Sequence, residues 1–505
     1  MPSLSPGNIA SELFAIAPDR DERGSQLCAE TLLTLAMNEY EAPSTTGGLK
    51  SPKRQQFALR SLALGENFLQ GRDDIAGAVY TYASYGDQLA EGRDFAGSEN
   101  MELARKALEG LIDPQTRRGQ EGTWLLYPFH ENLLWYDARK SGSGGKLWGV
   151  RKVYMRGSGI TLARLLLDPP ASDRARRLGA AAVRALMTAL REESQMANIA
   201  SWLEAPIDLS DDGLGPQEDE RKAWDAGGSE HLAVLGEAVC AHVEGVMNQS
   251  QTGSTAKLWA FRNILALDHA VHTLRTAWEM TQTPPKDRYL LLSIGGPERA
   301  ENFVRQRSEI SYQRARQRIQ EGIIAALARG MRALGGNDPA AADWNAEFET
   351  RGGREFQDQV TELRAVTDPA QYTDIARAVF EKANYGRPVD GFRVLLESVG
   401  MIQGTGSYRY LTASPDIMAA FVGALSAKMP MTSRDFFLEL YKGWGIVLSA
   451  EAAACTNLLN QVDGSELARN ARRAERLLAD AGLAVSLSDS TTIVGERVRR
   501  TDTTA

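Results

Sequence analysis

Proton transfer and metal binding in this chain would fall first to its five histidines, His130, His231, His242, His269 and His272. His269 and His272 stand three residues apart and Asp268 four before His272, so one helix would offer two imidazoles and a carboxylate together. No H-E-x-x-H and no Glu-x-x-His accompanies them, and two imidazoles at i, i+3 fall short of a full ligand set. The spacing predicts no bound metal and two neutral, partly buried rings among Ile264, Leu265, Leu267, Val271 and Leu274. His231 and His242 are eleven residues apart and share a helix face, but about three turns separate them, too far for one ion. His130 lies beside Glu131 and has the type of a proton carrier, without a nucleophile at matching spacing. G-x-S-x-G, H-x-E with P-C-x-x-C, and G-x-G-x-x-G after a strand are absent. No catalytic residue is assigned and no cofactor is expected.

Charge is distributed more distinctively. The chain has 505 residues, 57 Lys and Arg against 65 Asp and Glu, and a formal charge of −8. Between Arg139 and Arg191 stand twelve bases: Arg139, Lys140, Lys146, Arg151, Lys152, Arg156, Arg164, Arg174, Arg176, Arg177, Arg184 and Arg191. Only Asp168 and Asp173 oppose them, so this band carries +10 within an acidic chain. Trp124, Tyr127, Phe129, Trp135, Tyr136, Trp148 and Tyr154 precede or interleave its first half. Bases and rings together are what a groove for an exposed nucleic-acid strand uses, since phosphates meet Arg and Lys while bases stack. Four other uses of the same residues remain open: an acidic protein partner, a solvated face, intramolecular pairing with the acidic stretch Glu204 to Asp225, and rings that form a core under a hairpin. The run SGSGGKLW at Ser141 to Trp148 fails the phosphate-loop pattern, because Lys140 occupies the first glycine position and Leu147 follows Lys146. It reads as a turn joining two basic arms.

Hydrophobic residues make up 43% and charged residues 24%, the proportions of a globular chain with about three domains. Cys28, Cys240 and Cys455 are an odd number, too far apart for a CxxC pair, and are expected as buried thiols in a reducing compartment. No stretch of about 18 apolar residues occurs and the N-terminus lacks a signal-peptide pattern, so a cytoplasmic protein without a membrane partner is expected.

The elements that must position these residues are mostly helices. Apolar residues recur at intervals of three and four over Ser25 to Tyr40, Arg54 to Leu69, Ser172 to Arg191, Glu230 to Met247, Ala256 to Met280 and Pro297 to Leu334. Arg288 to Ile294 (RYLLLSI), between Pro284–Pro285 and two glycines, reads as a strand or extended buried segment. Glu204 to Asp225 holds eight acids against Arg221 and Lys222 and reads as a solvated acidic loop. The composition breaks divide the chain into a helical domain at 1–120, a basic aromatic segment at 121–204, the acidic loop at 205–228, a central helical domain at 229–365, and two small modules at 366–430 and 431–505.

Those two modules share a pattern. Leu395, Leu396, Gly400, Met401 and Ile402 match Leu477, Leu478, Gly482, Leu483 and Ala484 at a constant offset of 82. Each is a helix ended by glycine in the left-handed conformation, then a strand, a polar tip (Gln403 to Ser407; Ser486 to Ser490) and a second strand (Tyr408 to Thr412; Thr491 to Val494). Asp374 to Lys382 and Val389 to Glu397 supply the first module's helices; Arg434 to Tyr441, Ala450 to Leu459 and Ser465 to Ala481 supply the second's. Over about Thr367 to Glu496 the chain resembles the winged-helix superfamily. Its layout resembles uncharacterised proteins encoded with ATPases and nucleases in prokaryotic phage-defence clusters. The resemblance implies DNA in contact with the helix before each wing, and Arg469, Arg472, Arg473 and Arg476 line that helix in the second module. Both modules are nearly neutral overall, unlike most DNA-binding domains. The fold expected is mainly α, a multi-helical body with small C-terminal winged-helix-like α+β modules. The function expected is nucleic-acid-associated and accessory, binding DNA or another polyanion. The alternatives are a scaffold that docks an acidic protein and an enzyme with dispersed catalytic residues.

Overall fold

The computed structural model describes residues 4–20, 22–38, 112, 127–131, 134, 137–139, 151–153, 157–170, 172–191, 230–249, 252–295, 301–336, 338–349, 356–382, 384–426, 429–488 and 491–495. The expected helix Arg54 to Leu69, the run SGSGGKLW and the acidic loop lie outside them. In chain order the first elements are α1 (Pro6–Phe14), α2 (Gly24–Met37), β1 (Asp137–Arg139), β2 (Arg151–Val153), α3 (Ser158–Leu167), α4 (Asp173–Arg191), α5 (Glu230–Met247), α6 (Ser254–Met280), β3 (Leu290–Leu291) and α7 (Glu301–Gly335). There follow α8 (Trp344–Glu349), α9 (Gln357–Arg364), α10 (Gln371–Lys382), α11 (Arg387–Ser398), β4 (Ile402–Gln403), β5 (Tyr410–Leu411) and α12 (Pro415–Ser426). The last are β6 (Met431–Thr432), α13 (Ser433–Trp444), β7 (Ile446–Val447), α14 (Ala450–Ala453), α15 (Gly464–Asp480), β8 (Ala484–Ser488) and β9 (Thr491–Val494). The fold of the described residues is mainly α, with short strands concentrated toward the C-terminus.

Two compact units divide the chain: Met1–Asp21, Ala223–Ala238 and Ala266–Ala505 form one, Glu22–Lys222 and Val239–Leu265 the other. Each is discontinuous in sequence, whereas the composition breaks give consecutive blocks.

In the unit that begins at Glu22, α2 is buried on nearly every side although it carries Ser25, Gln26, Glu30, Thr31 and Thr34. Buried polar groups must find partners, and most of these do so locally. Thr31 and Thr34 donate to the Leu27 and Glu30 carbonyls, each at 2.8 Å. The Glu30 carboxylate accepts the Gly157 and Gly159 amides at 3.1 and 2.8 Å, two of the donors that the start of α3 leaves open. Gly157 adopts φ +90°, and a Cβ on Gly159 would lie 2.7 Å from that of Glu30, so glycine is required at both. Cys28 and Cys240 are buried as expected, and desolvation pushes the Cys28 thiol up to about 12, leaving it inert.

In the other unit α7 is the central element, contacting α1, α10, α11, α15, β3 and β5. Two of its serines complete short strands. Ser308 Oγ both donates to the Leu411 carbonyl and accepts the Leu411 amide, each at 2.8 Å, and Ser311 Oγ accepts the Leu291 amide at 3.1 Å. The run RYLLLSI is buried as expected, with ladder pairing confined to β3, which runs parallel to β7. Asn470 of α15, fully buried, closes this layer. Its Oδ1 accepts the Ile294 amide at 2.8 Å, and its Nδ2 donates to the Leu292 and Leu448 carbonyls at 2.9 and 3.0 Å.

The repeated pattern appears as anticipated in both modules. Helices α11 and α15 end before Gly400 (φ +75°) and Gly482 (φ +72°), and antiparallel hairpins β4–β5 and β8–β9 follow. β6, before the second module's first helix, adds a third strand in the order β6–β9–β8. Three expectations require correction. Ala450 to Leu459 is not one helix: the Thr456 hydroxyl donates to the Ala453 carbonyl and accepts the Leu458 amide, which ends α14 and starts a 3₁₀ turn at Leu458–Asn460. Cys455 falls between α14 and that 3₁₀ turn and is exposed, against the expectation of a buried thiol. In the second hairpin, strand β8 continues through Ser486 to Ser488, so the polar tip begins later than the sequence pattern indicates.

Candidate nucleic-acid interface

The arginine face of α15 is built by its own periodicity. Leu467, Asn470, Ala474 and Leu478 are buried, while Arg469, Arg472, Arg473 and Arg476 fall within about 100° of arc on the opposite side. Asp463 caps the N-terminus by accepting the Ser465 amide at 2.7 Å, and that hydrogen bond holds its carboxyl below the usual range. Arg469 is bound to Glu466 one turn earlier. Arg472 and Arg476 are exposed and carry no ion pair among the described residues. The hairpin after the helix places β8 at the sheet edge, where Val485 and Leu487 are exposed, Leu487 to 67%.

The basic band lies in the other unit. Helix α4 buries Ala175, Gly179, Ala182, Val183, Leu186 and Leu190 and presents Arg174, Arg176, Arg177 and Arg184 to solvent. Arg176 pairs with Asp173 at 2.9 Å, whereas Arg174, Arg177 and Arg184 have no ion pair among the described residues. At the end of α4, Arg191 grips Glu131 with Nε and Nη2, a bidentate bond that removes both from the open surface. Strands β1 and β2 form the expected two arms, antiparallel, with Arg139 opposite Arg151 and Ala138 opposite Lys152. Lys140, Lys146 and Arg156 lie outside the described residues, as do Trp124, Trp135, Tyr136, Trp148 and Tyr154. Tyr127 and Phe129 stack on each other at 5.3 Å, and Tyr127 meets Trp259 edge to face at 4.9 Å, so these two rings serve internal packing.

No protein-family model, no curated protein and no solved structure matches this chain. The geometry therefore carries the functional reading alone.

His231 and His272, with Asp268, Arg275 and Glu279, line a small pocket within one unit, and His269 does not reach its lining. His269 and His272 are buried, and burial drives their pKa values down to about 3 and about 4, so both rings are neutral near pH 7. His272 Nε2 lies 2.8 Å from the Phe14 carbonyl. Trp444 donates its indole N–H to Asp268 at 2.6 Å, Arg275 donates to the Gly443 carbonyl at the end of α13, and His231 faces Glu279 at 3.2 Å. These groups hold helix ends and one another, and no group of three or more His, Cys, Asp or Glu among the described residues could hold a metal ion.

Sequence reasoning missed a further surface. On α7, Phe303, Arg307, Ile310 and Arg314 recur at i, i+4, i+7 and i+11, with Phe303 and Ile310 exposed. Arg305, on another face, stacks over Tyr410 at 4.6 Å. The signal was available as arginine density between Arg305 and Arg318, but Glu301, Glu309 and Glu321 in the same helix dilute it in a charge count.

Proposed function

We propose that this chain is a nucleic-acid-associated accessory protein, of the kind encoded beside phage-defence ATPases and nucleases, that contacts a DNA backbone through α15 and its hairpin and through α4. The observation that carries the reading is the α15 face. Two exposed guanidiniums with no ion pair among the described residues, Arg472 and Arg476, stand on the helix directly before a β-hairpin, the position from which winged helices meet the major groove. Arg174, Arg177 and Arg184 on α4 supply a second set of open cations.

Fluorescence anisotropy with a labelled duplex, followed across a salt series, tests this. Arg472→Gln with Arg476→Gln should weaken binding and flatten the log–log salt slope by about 0.9 for each phosphate no longer neutralised. Arg174→Gln, Arg177→Gln and Arg184→Gln together should do the same, as should Arg151→Gln, Lys152→Gln and Arg156→Gln in the basic band. Binding that is undetectable in the parent, or unchanged in all three variants, removes the proposal. A separate observation favours protein docking: Leu487 and Val485 lie exposed on the open edge strand β8, an arrangement suited to an extended segment of a partner.

A further inference from the structure

The groove between α7 and α10 shares no residue with the arginine faces of α4 and α15. It is a groove open to solvent with a volume of about 710 Å³, within the roughly 300–1,000 Å³ typical of small-molecule sites. One face of α7 makes its floor, where Ile324, Ala325 and Ala328 present apolar surface. Arg329 and Arg332 project from the next turns of that helix, and Arg377 enters the lining from α10; all three are exposed. The acid in that lining, Glu321, is already engaged by Arg318 at 2.6 Å and by the Gln317 amide at 2.9 Å.

Among the described residues, the three guanidiniums engage few partners. Arg332 spends one on the Pro369 carbonyl at 3.1 Å, and Arg329 sets Nη2 against the Met280 sulfur. Arg377 stands 3.6 Å from Asp374 in a solvent-exposed pair, which water screens and which leaves the guanidinium free to exchange partners. Three like charges around one concavity raise its potential toward anions, and planar guanidinium forks match phosphate oxygens in pairs. Apolar floor and cationic rim together describe a ligand with a multiply charged anionic end and a less polar remainder.

We propose that this groove binds a small molecule carrying a polyphosphate group, its phosphates meeting Arg329, Arg332 and Arg377. Two sources share that chemistry, a nucleotide and free inorganic polyphosphate, and isothermal titration of the full chain with adenosine triphosphate and with inorganic tripolyphosphate separates them. Saturable binding is expected, tighter for the nucleotide if a nucleoside uses the apolar floor and equal for the two if the free polyphosphate is the ligand. Arg332→Gln with Arg377→Gln, both at exposed positions, should melt like the parent and bind roughly tenfold or more weakly. Arg472→Gln with Arg476→Gln should leave the titration unchanged, which keeps this site independent of the DNA reading. Absence of binding by both probes, or equal affinity in the parent and the Arg332/Arg377 variant, overturns the proposal, as does loss of binding in the Arg472/Arg476 variant.

Discussion

At the scale of single residues, the strongest constraints come from polar side chains that a hydrophobicity pattern treats as noise. Asn470 serves three backbone groups of two extended segments at once. An aspartate there would keep the acceptor for Ile294 but set a second acceptor against the Leu292 and Leu448 carbonyls. Asn470→Asp should therefore destabilise more than Asn470→Ala, which itself leaves buried groups unpaired at a cost of about 1–3 kcal/mol; urea unfolding of the two variants orders them. The buried histidines make a second residue-scale statement. Their folded pKa values, about 3 and about 4, lie below the ordinary 6.5, so the unfolded chain binds protons first as pH falls. Their contribution to stability is complete above about pH 6.5 and is lost progressively as pH falls toward 4 and below. Melting temperature followed from pH 7.5 to 4.5 should drop more steeply in the parent than in His272→Gln.

At the scale of elements, glycines set where the terminal helices stop. Gly400 and Gly482 both take positive φ immediately after α11 and α15 and turn the chain into a strand. Alanine at either position should cost on the order of 1 kcal/mol in chemical unfolding. At Gly400 the added Cβ would also approach Ser414 Oγ to 2.7 Å, so its effect should be the larger. Helix α14 shows the opposite lesson. Its apolar periodicity continues past Ala453, but Thr456 satisfies a carbonyl and an amide locally and ends the helix where propensity alone would extend it.

At the scale of the whole molecule, a chain of −8 keeps open cations on α4 and α15. Net repulsion from a polyanion must be overcome by these local surfaces, so DNA affinity should be short-ranged and strongly salt-dependent. If α4 and α15 meet separate stretches of backbone, their two sets of glutamine substitutions should lower the logarithm of affinity additively, and anisotropy on the combined variant measures it. None of the described helices is long and apolar enough to cross a membrane.

Helices with one clear apolar stripe, such as α4, the burial of RYLLLSI, and the paired glycine-and-hairpin endings are legible in the residue order. Each is decided by local periodicity or by a conformation open chiefly to glycine, and neither needs a distant partner. Which charges remain available depends on contacts between distant parts of the chain. Arg191 and Glu131 are 60 residues apart and neutralise each other, while Arg472 and Arg476 meet no acid among the described residues. Nor could spacing reveal that Ser308, Ser311 and Asn470 serve as partners for short strands, because a hydrogen bond across 20 to 178 residues leaves no periodic trace in the chain. The groove over Ile324 and Ala328 arises the same way: it exists because α10 folds back across α7, bringing Arg377 to the face that carries Arg329 and Arg332.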